Sequence, residues 1–233
     1  MPGILYAIPT PLGGTAADAL PAYALATVRS LRHFVVENAK SARAFLKELE
    51  MPCLLREVAI STIDRDLSPH IRTLQGGQSI GLLSEAGCPA IADPGASLIE
   101  AAHRAGIRVV PLIGPSSIVL ALMASGLEGQ RFAFCGYLPR DPDGRKRKIR
   151  ELEARSRRER ETQIFIETPY RNDAMLGSLL ETCAPQTRLC VASDLTLGSE
   201  DVRTRSVVDW RRAPHAIGKR PTVFLLLSVN RQA

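Results

Sequence analysis

The chain has little that would place it among disulfide-stapled, zinc-binding or membrane proteins. Its five cysteines (53, 88, 135, 183 and 190) are odd in number and contain no Cys-x-x-Cys pair, which argues against a disulfide framework and against a zinc site. A reducing cytosol fits this usage. The four histidines, at 33, 70, 103 and 215, are scattered without metal-ligand spacing, so no metal is expected. No apolar stretch, Val223 to Val229 included, approaches the length of a membrane span. An apolar strand pattern that begins at Gly3 leaves no room for a charged leader and cleavage site, so a soluble, unexported, cytoplasmic protein is expected. Internal repeats and low-complexity tracts are also missing.

What is present is enough for a substantial core. The 233 residues, 45% of them apolar and 23% charged, suit a soluble enzyme of one large domain or two small ones. The formal charge of +6 is local: from Arg140 to Glu161 there are ten Lys or Arg against six Asp or Glu. Arg140, Arg145, Lys146, Arg147 and Lys148 are therefore candidate nucleic-acid-binding residues that would neutralise phosphates. The plainer reading is a solvated helix face, with Arg147/Glu151, Arg155/Glu159 and Arg157/Glu161 paired at helical spacing.

Strand and helix patterns alternate along the first half. Gly3 to Pro9, His33 to Glu37, Glu57 to Ser61, Ser79 to Ser84 and Ile107 to Leu112 read as buried strands rich in Ile, Val and Leu. Helical spacing falls between them, at Leu20 to Leu31, Ser41 to Glu50, Leu67 to Gln75 and Ser97 to Ala105. This is the repeat of an open, mostly parallel sheet. Gly114-Pro115 then punctuates the chain before an apolar helix at Ile118 to Ser125. The boundary predicted here divides the chain into an N-terminal α/β domain, residues 1–113, and a C-terminal α/β domain with a mixed sheet, residues 114–233. Strands are predicted in the second at Arg131 to Gly136, Gln163 to Glu167, Arg188 to Asp194, Val202 to Val208 and Thr222 to Val229. Helices are predicted near Arg145 to Arg158 and Asn172 to Cys183. The alternation in Val202 to Val208 points to an antiparallel strand.

The strand ends carry the chemistry. The richest is Ser84-Glu85-Ala86-Gly87-Cys88-Pro89-Ala90-Ile91-Ala92-Asp93-Pro94-Gly95, where two prolines, two acids and two glycines follow an apolar strand directly. Pro9-Thr10-Pro11-Leu12-Gly13-Gly14-Thr15, Glu37-Asn38-Ala39-Lys40 and Gly114-Pro115-Ser116-Ser117 end three other strands. Carboxyl ends of parallel strands share one edge, so all four loops are expected to face one ligand cleft lined by backbone N–H groups. Each alone could be a turn, a surface ion pair such as Glu37 with Lys40, or a helix cap.

Pro-Thr-Pro-Leu-Gly at 9–13, the 84–95 segment, Gly-Pro-Ser-Ser at 114–117, Phe-Cys-Gly-Tyr-Leu-Pro-Arg at 134–140 and Glu-Thr-Pro-Tyr-Arg at 167–171 resemble, in order, the tetrapyrrole (corrin/porphyrin) methylase superfamily. Within it the chain is most similar to the ribosomal RNA small subunit methyltransferase I branch, which 2′-O-methylates a 16S rRNA cytidine. The resemblance implies two α/β domains, a homodimer, and S-adenosylmethionine in a cleft between the domains. It implies cofactor contacts from Pro11, Leu12, Gly13, Ser84, Glu85, Ala86, Gly87, Ser116, Ser117, Glu167, Pro221 and Thr222. Departures from the branch mark a shorter, divergent subgroup. Its Ala-Glu-Asp-Thr-Arg appears as Val36-Glu37-Asn38-Ala39-Lys40, and its Leu-Thr-Lys-x-x-Glu as Leu195-Thr196-Leu197-Gly198-Ser199-Glu200. A lysine cannot reproduce the bidentate fork of arginine on a phosphate. The chain also ends soon after the Thr222 to Val229 strand, without the branch's C-terminal extension.

Methyl transfer from a sulfonium is an in-line displacement, so positioning and water exclusion are the main tasks. A ribose hydroxyl also needs a base within about 2.6–3.2 Å. Glu37, Glu85 and Glu167 are the carboxylates at strand ends, with Glu37 the first candidate. Lys40 and Arg171 are the cations that could orient a phosphate. The catalytic candidates are therefore Glu37, Lys40, Glu167 and Arg171, although Glu167 could instead brace the turn that follows it. Tyr170 could stack on an unpaired base, stack on adenine, or belong to the core. Two alternatives stay open: a methylase of a small molecule such as a tetrapyrrole, and a non-catalytic binding protein that kept the fold.

Overall fold

A computed structural model describes residues 1–213 and 215–228. The predicted strand end at Val229 lies outside them. The chain divides into two compact units, Met1–Ser116 and Ser117–Ala233.

The first unit is built on five parallel strands, β1 (Leu5–Ile8), β2 (His33–Val36), β3 (Ala59–Thr62), β4 (Ile80–Leu83) and β5 (Val109–Pro111), in the order β3-β2-β4-β1-β5. Every strand alternates its side chains between two faces, and each face finds its own helices. Ile8, Phe34, Val36 and Leu83 pack with α1 (Ala16–Ala19), α2 (Ala22–Ser30) and α3 (Ala39–Glu48). Leu5, Val35, Ile80 and Leu82 pack on the other side with α4 (Ser68–Gln75) and α5 (Ala96–Arg104). Coverage on both faces explains why β1, β2 and β4 read as apolar runs rather than alternations; the edge strand β3, expected to be buried, is largely exposed. The helix α1 was not predicted; Thr15 makes it by accepting a hydrogen bond from Asp18 N, a cap for a single turn.

In the second unit β6 (Phe132–Tyr137) runs parallel to β7 (Thr162–Glu167), while β10 (Thr222–Leu227), β8 (Arg188–Ser193) and β9 (Asp201–Ser206) continue the sheet antiparallel, in the order β6-β7-β10-β8-β9. The mixed sheet and the antiparallel β9 match the sequence reading. One face packs Phe165, Val191, Phe224 and Leu226 against α7 (Pro142–Glu159), α8 (Asn172–Thr182) and α9 (Val207–Arg212); α6 (Ser117–Ser125) also packs on the sheet. The predicted strand over Val202 to Val208 stops at Ser206, because the Ser206 hydroxyl accepts from Asp209 N and starts α9. That turn buries Val207 and Trp210, whose Nε1 donates to Leu189 O at 2.9 Å. No helix among the described residues is long and apolar enough to cross a membrane.

Candidate functional site

In the first unit β1 and β4 are neighbours, yet their connections run to opposite faces, through α1 and α2 on one side and α5 on the other. This is the switch point at which an open sheet leaves a crevice beyond its strand ends. Hydrogen bonds join all four strand-end loops there. Thr10 and Gly87 exchange both backbone bonds, at 2.9 and 3.0 Å. Glu85 N donates to Glu37 Oε2 at 3.1 Å, and Cys88 Sγ lies 3.4 Å from Pro115 O. Ser84 is buried, and its hydroxyl donates to Gly87 O at 3.0 Å, so it shapes the turn from within. Gly87 has φ +79°, and a Cβ there would come within 3.3 Å of Leu12; glycine is what lets the backbone pass this close. Pro11, Leu12, Gly13 and Ser116 are half-buried around it, and Glu85 and Ala86 are exposed.

Glu37, Glu85 and Asp93 form an acidic group in this crevice. Burial pushes the Asp93 carboxyl up to about 6, helped by the charges of Glu37 and Glu85. Asp93 was not singled out by the sequence reading, although it stands in the segment judged richest. The alternative reading of Glu37 and Lys40 as a surface ion pair is not met among the described residues: Asn38 caps α3 by accepting from Lys40 N at 2.9 Å, and the Lys40 side chain is exposed. Asparagine thus keeps the cap that an aspartate would make.

In the second unit Glu167 ends β7 with its side chain fully buried. Its Oε1 accepts from Thr168 N at 2.6 Å and from Arg171 Nη2, while Arg171 Nε donates to Thr168 Oγ1 at 3.2 Å. Glu167 therefore braces its turn. Its Oε2 is buried without a partner among the described residues, as is Oδ1 of Asn172. Thr222 lies opposite Glu167 in the ladder and is buried; its hydroxyl contacts Ser193 Oγ at 2.9 Å. Pro221 is exposed beside it, and Ser117 opens α6. In the divergent 195–200 loop, Ser199 donates to Asp194, whose carboxyl Arg220 holds below the usual carboxylate range from 2.7 Å. Orphaned acceptors such as Glu167 Oε2 suit a donor-bearing ligand, and the amino groups of S-adenosylmethionine are of that kind.

The basic helix α7 divides its charges. Arg145 is a correction to the sequence reading: it is buried, donating from Nε to Ser178 Oγ at 2.9 Å and from Nη1 to Arg140 O at 3.3 Å, so it has a packing role and is not free for phosphate. Lys146 pairs with Glu181 at 2.6 Å and Lys148 with Glu151 at 2.7 Å. The pairs expected at helical spacing are replaced by others, with Arg155 reaching Glu161 and Arg157 reaching Ser228. Arg140, Arg147 and Arg150 are exposed, with no ion pair among the described residues.

Residues 6–208 match the tetrapyrrole (corrin/porphyrin) methylases. The chain is 32% identical over 200 residues to the ribosomal RNA small subunit methyltransferase I of Vibrio cholerae, covering 86% of this chain and 67% of that one. It is 34% identical over 203 residues to the protein of the same name from Bacillus subtilis, covering 85% and 66%. The chain thus spans about two thirds of the length of these relatives. Among solved structures, diphthine synthase superposes with a TM-score of 0.65 at 15% identity, over 97% of this chain and 89% of that one, a likeness of fold. A glycine-lined switch point at the strand ends of the first unit and a match through most of both units lead to one conclusion: the chain belongs to the tetrapyrrole (corrin/porphyrin) methylase family.

Proposed function

We propose that this S-adenosylmethionine-dependent methyltransferase acts on RNA, in a ribose 2′-O-methylation of the 16S rRNA kind. The observation that carries the reading is the identity of about one third to two proteins named ribosomal RNA small subunit methyltransferase I, across more than four fifths of the chain. The exposed Arg140, Arg147 and Arg150 support it, since unpaired cations neutralise phosphate with least loss of existing contacts.

In this reading Pro11, Leu12, Gly13, Ser84, Glu85, Ala86, Gly87 and Ser116 of the first unit hold the cofactor, together with Ser117, Glu167, Pro221 and Thr222 of the second. S-adenosylmethionine supplies an activated methyl group; the chain supplies position and proton handling. Glu37 is the general base, its Oε2 set by Glu85 N. Lys40 and Arg171 orient phosphate, Arg171 through a guanidinium fixed by Glu167 and Thr168. Lys146 and Lys148 contribute to RNA attraction at the expense of their acidic partners. A homodimer and a cytoplasmic location belong to the same reading. The apolar outer surface of Val119, Met123 and Phe132, each exposed, supports the dimer, and sedimentation would measure it.

The test is to incubate the protein with methyl-labelled S-adenosylmethionine and small ribosomal subunits from a strain lacking it. Label in 16S rRNA is expected, with loss of at least a hundredfold in rate for Glu37→Gln. Label in a small-molecule fraction of cell extract instead, or none anywhere despite cofactor binding, overturns the proposal.

A further inference from the structure

Beside the buried Glu167 the chain makes a short 3-10 turn, Pro169–Arg171, that lifts Tyr170 to the surface. Tyr170 is 79% exposed, which rules out the core role. Lys219 comes from a distant part of the sequence and places its Nζ 5.1 Å from the centroid of the Tyr170 ring. A surface aromatic and a lysine could meet by accident of rotamer, but here the backbone on both sides is fixed by buried polar groups.

Asn172 is fully buried, and its Nδ2 donates to Gly218 O at 3.0 Å and to Arg220 O at 2.7 Å. Those carbonyls flank Lys219, so one amide group brackets the residue and leaves its side chain projecting outward. Asp173 continues the clamp by accepting from Ile217 N at 2.7 Å. On the other flank Arg171 is held at Nε by Thr168 and at Nη2 by Glu167. The clamp leaves Asn172 Oδ1 and Glu167 Oε2 buried without partners among the described residues. Glu167 Oε1 and Asn172 Nδ2 thus hold the segments that carry Arg171 and Lys219 next to Tyr170.

We infer that Tyr170 and Lys219 form a platform for one unpaired nucleotide, with the base stacked on the open side of the Tyr170 ring and the adjoining phosphates met by Lys219 and Arg171. Stacking on tyrosine is available to every base, because every base has a π face, and the cations track the backbone. Asn172 is a positioning residue in this arrangement. The substrate class rests on the RNA reading above.

The experiment measures binding, without methyl transfer, of fluorescein-labelled single-stranded hexaribonucleotides, one of cytidine and one of adenosine, to the full chain. Tyr170→Ala should weaken both by about 5- to 150-fold, the loss of one base stack, while Tyr170→Phe stays within about twofold. Lys219→Gln should reduce the magnitude of the salt slope of log affinity by about one. Calorimetry with S-adenosylmethionine should be unchanged in all three variants. No measurable binding by the wild-type chain, equal binding by Tyr170→Ala, an unchanged slope in Lys219→Gln, or a loss confined to S-adenosylmethionine would each overturn the inference. Failure of methyl transfer to 16S rRNA with the Tyr170 effect intact would instead sink the RNA methylation reading and leave the platform standing.

Discussion

Asp93 is the acid of the candidate crevice whose carboxyl burial pushes up, with Glu37 and Glu85 adding to the shift. Its folded-state pKa of about 6 stands above the ordinary 3.8, so between these values the folded chain holds the proton more tightly than the unfolded one. The destabilisation it causes is therefore absent below about pH 4, grows as pH rises through the window, and is complete above about pH 6. Asp93→Asn should melt higher than the wild type at pH 7.5 by a few degrees, on the order of 2–4 °C per kcal/mol for a chain of this length. The gap should close by about pH 4, and a gap independent of pH would refute the assignment. Packing sets an equally local limit at Gly81, where a Cβ would lie 2.7 Å from both Ile8 Cδ1 and Phe34 Cδ1. Gly81→Ala should cost roughly 1–3 kcal/mol by overpacking, read from urea midpoints. Gly177, in α8, has nothing within 4 Å of a built Cβ, so Gly177→Ala should instead stabilise by about 0.4–1 kcal/mol.

At the scale of elements, α7 shows why a run of like charges does not reveal its own division of labour. Arg145, Lys146, Arg147 and Lys148 are consecutive cations, but the helix repeat turns only Arg145 inward, toward Ser178 on α8. Nothing in the residue types distinguishes it. Arg145→Ala should lower stability by about 1–3 kcal/mol, since it leaves the Ser178 hydroxyl and the Arg140 carbonyl without their donor. Arg147→Ala with Arg150→Ala should leave stability within about 0.5 kcal/mol and reduce the salt slope of RNA binding by about two. A salt slope lowered by Arg145→Ala alone and untouched by the double variant would reverse this assignment. The same logic governs which elements were legible. Strands β1, β2 and β4 announce themselves because both their faces are covered, whereas the edge strand β3 is largely exposed and begins at Ala59, after a 3-10 turn at Leu55–Glu57, rather than at Glu57 as read from the sequence. The short helices α1 and α9 were hidden because one or two turns carry too few apolar repeats to outweigh neighbouring patterns.

Across the whole molecule, the loops of the first unit were legible as a group because parallel strands put their carboxyl ends at one edge, whatever the side chains do. The bonds that join them, Thr10 to Gly87 and Glu85 to Glu37, were not, since they link residues 77 and 48 positions apart that no local pattern relates. Asn172 was hidden for the same reason, its carbonyl partners lying 46 and 48 residues away. Gly87 is where this long-range stitching meets the proposed cofactor. Its φ of +79° and the 3.3 Å approach to Leu12 leave no place for a branched side chain. At a concentration a hundredfold above its dissociation constant, S-adenosylmethionine should stabilise the wild type by about 2.7 kcal/mol, a rise of roughly 5–11 °C in melting temperature. Gly87→Val should cost about 1–3 kcal/mol by backbone strain, and its melting temperature should not respond to the cofactor. If the variant melts lower but still rises by the full wild-type increment, Gly87 shapes the turn alone, and the cofactor is bound without the 84–87 backbone.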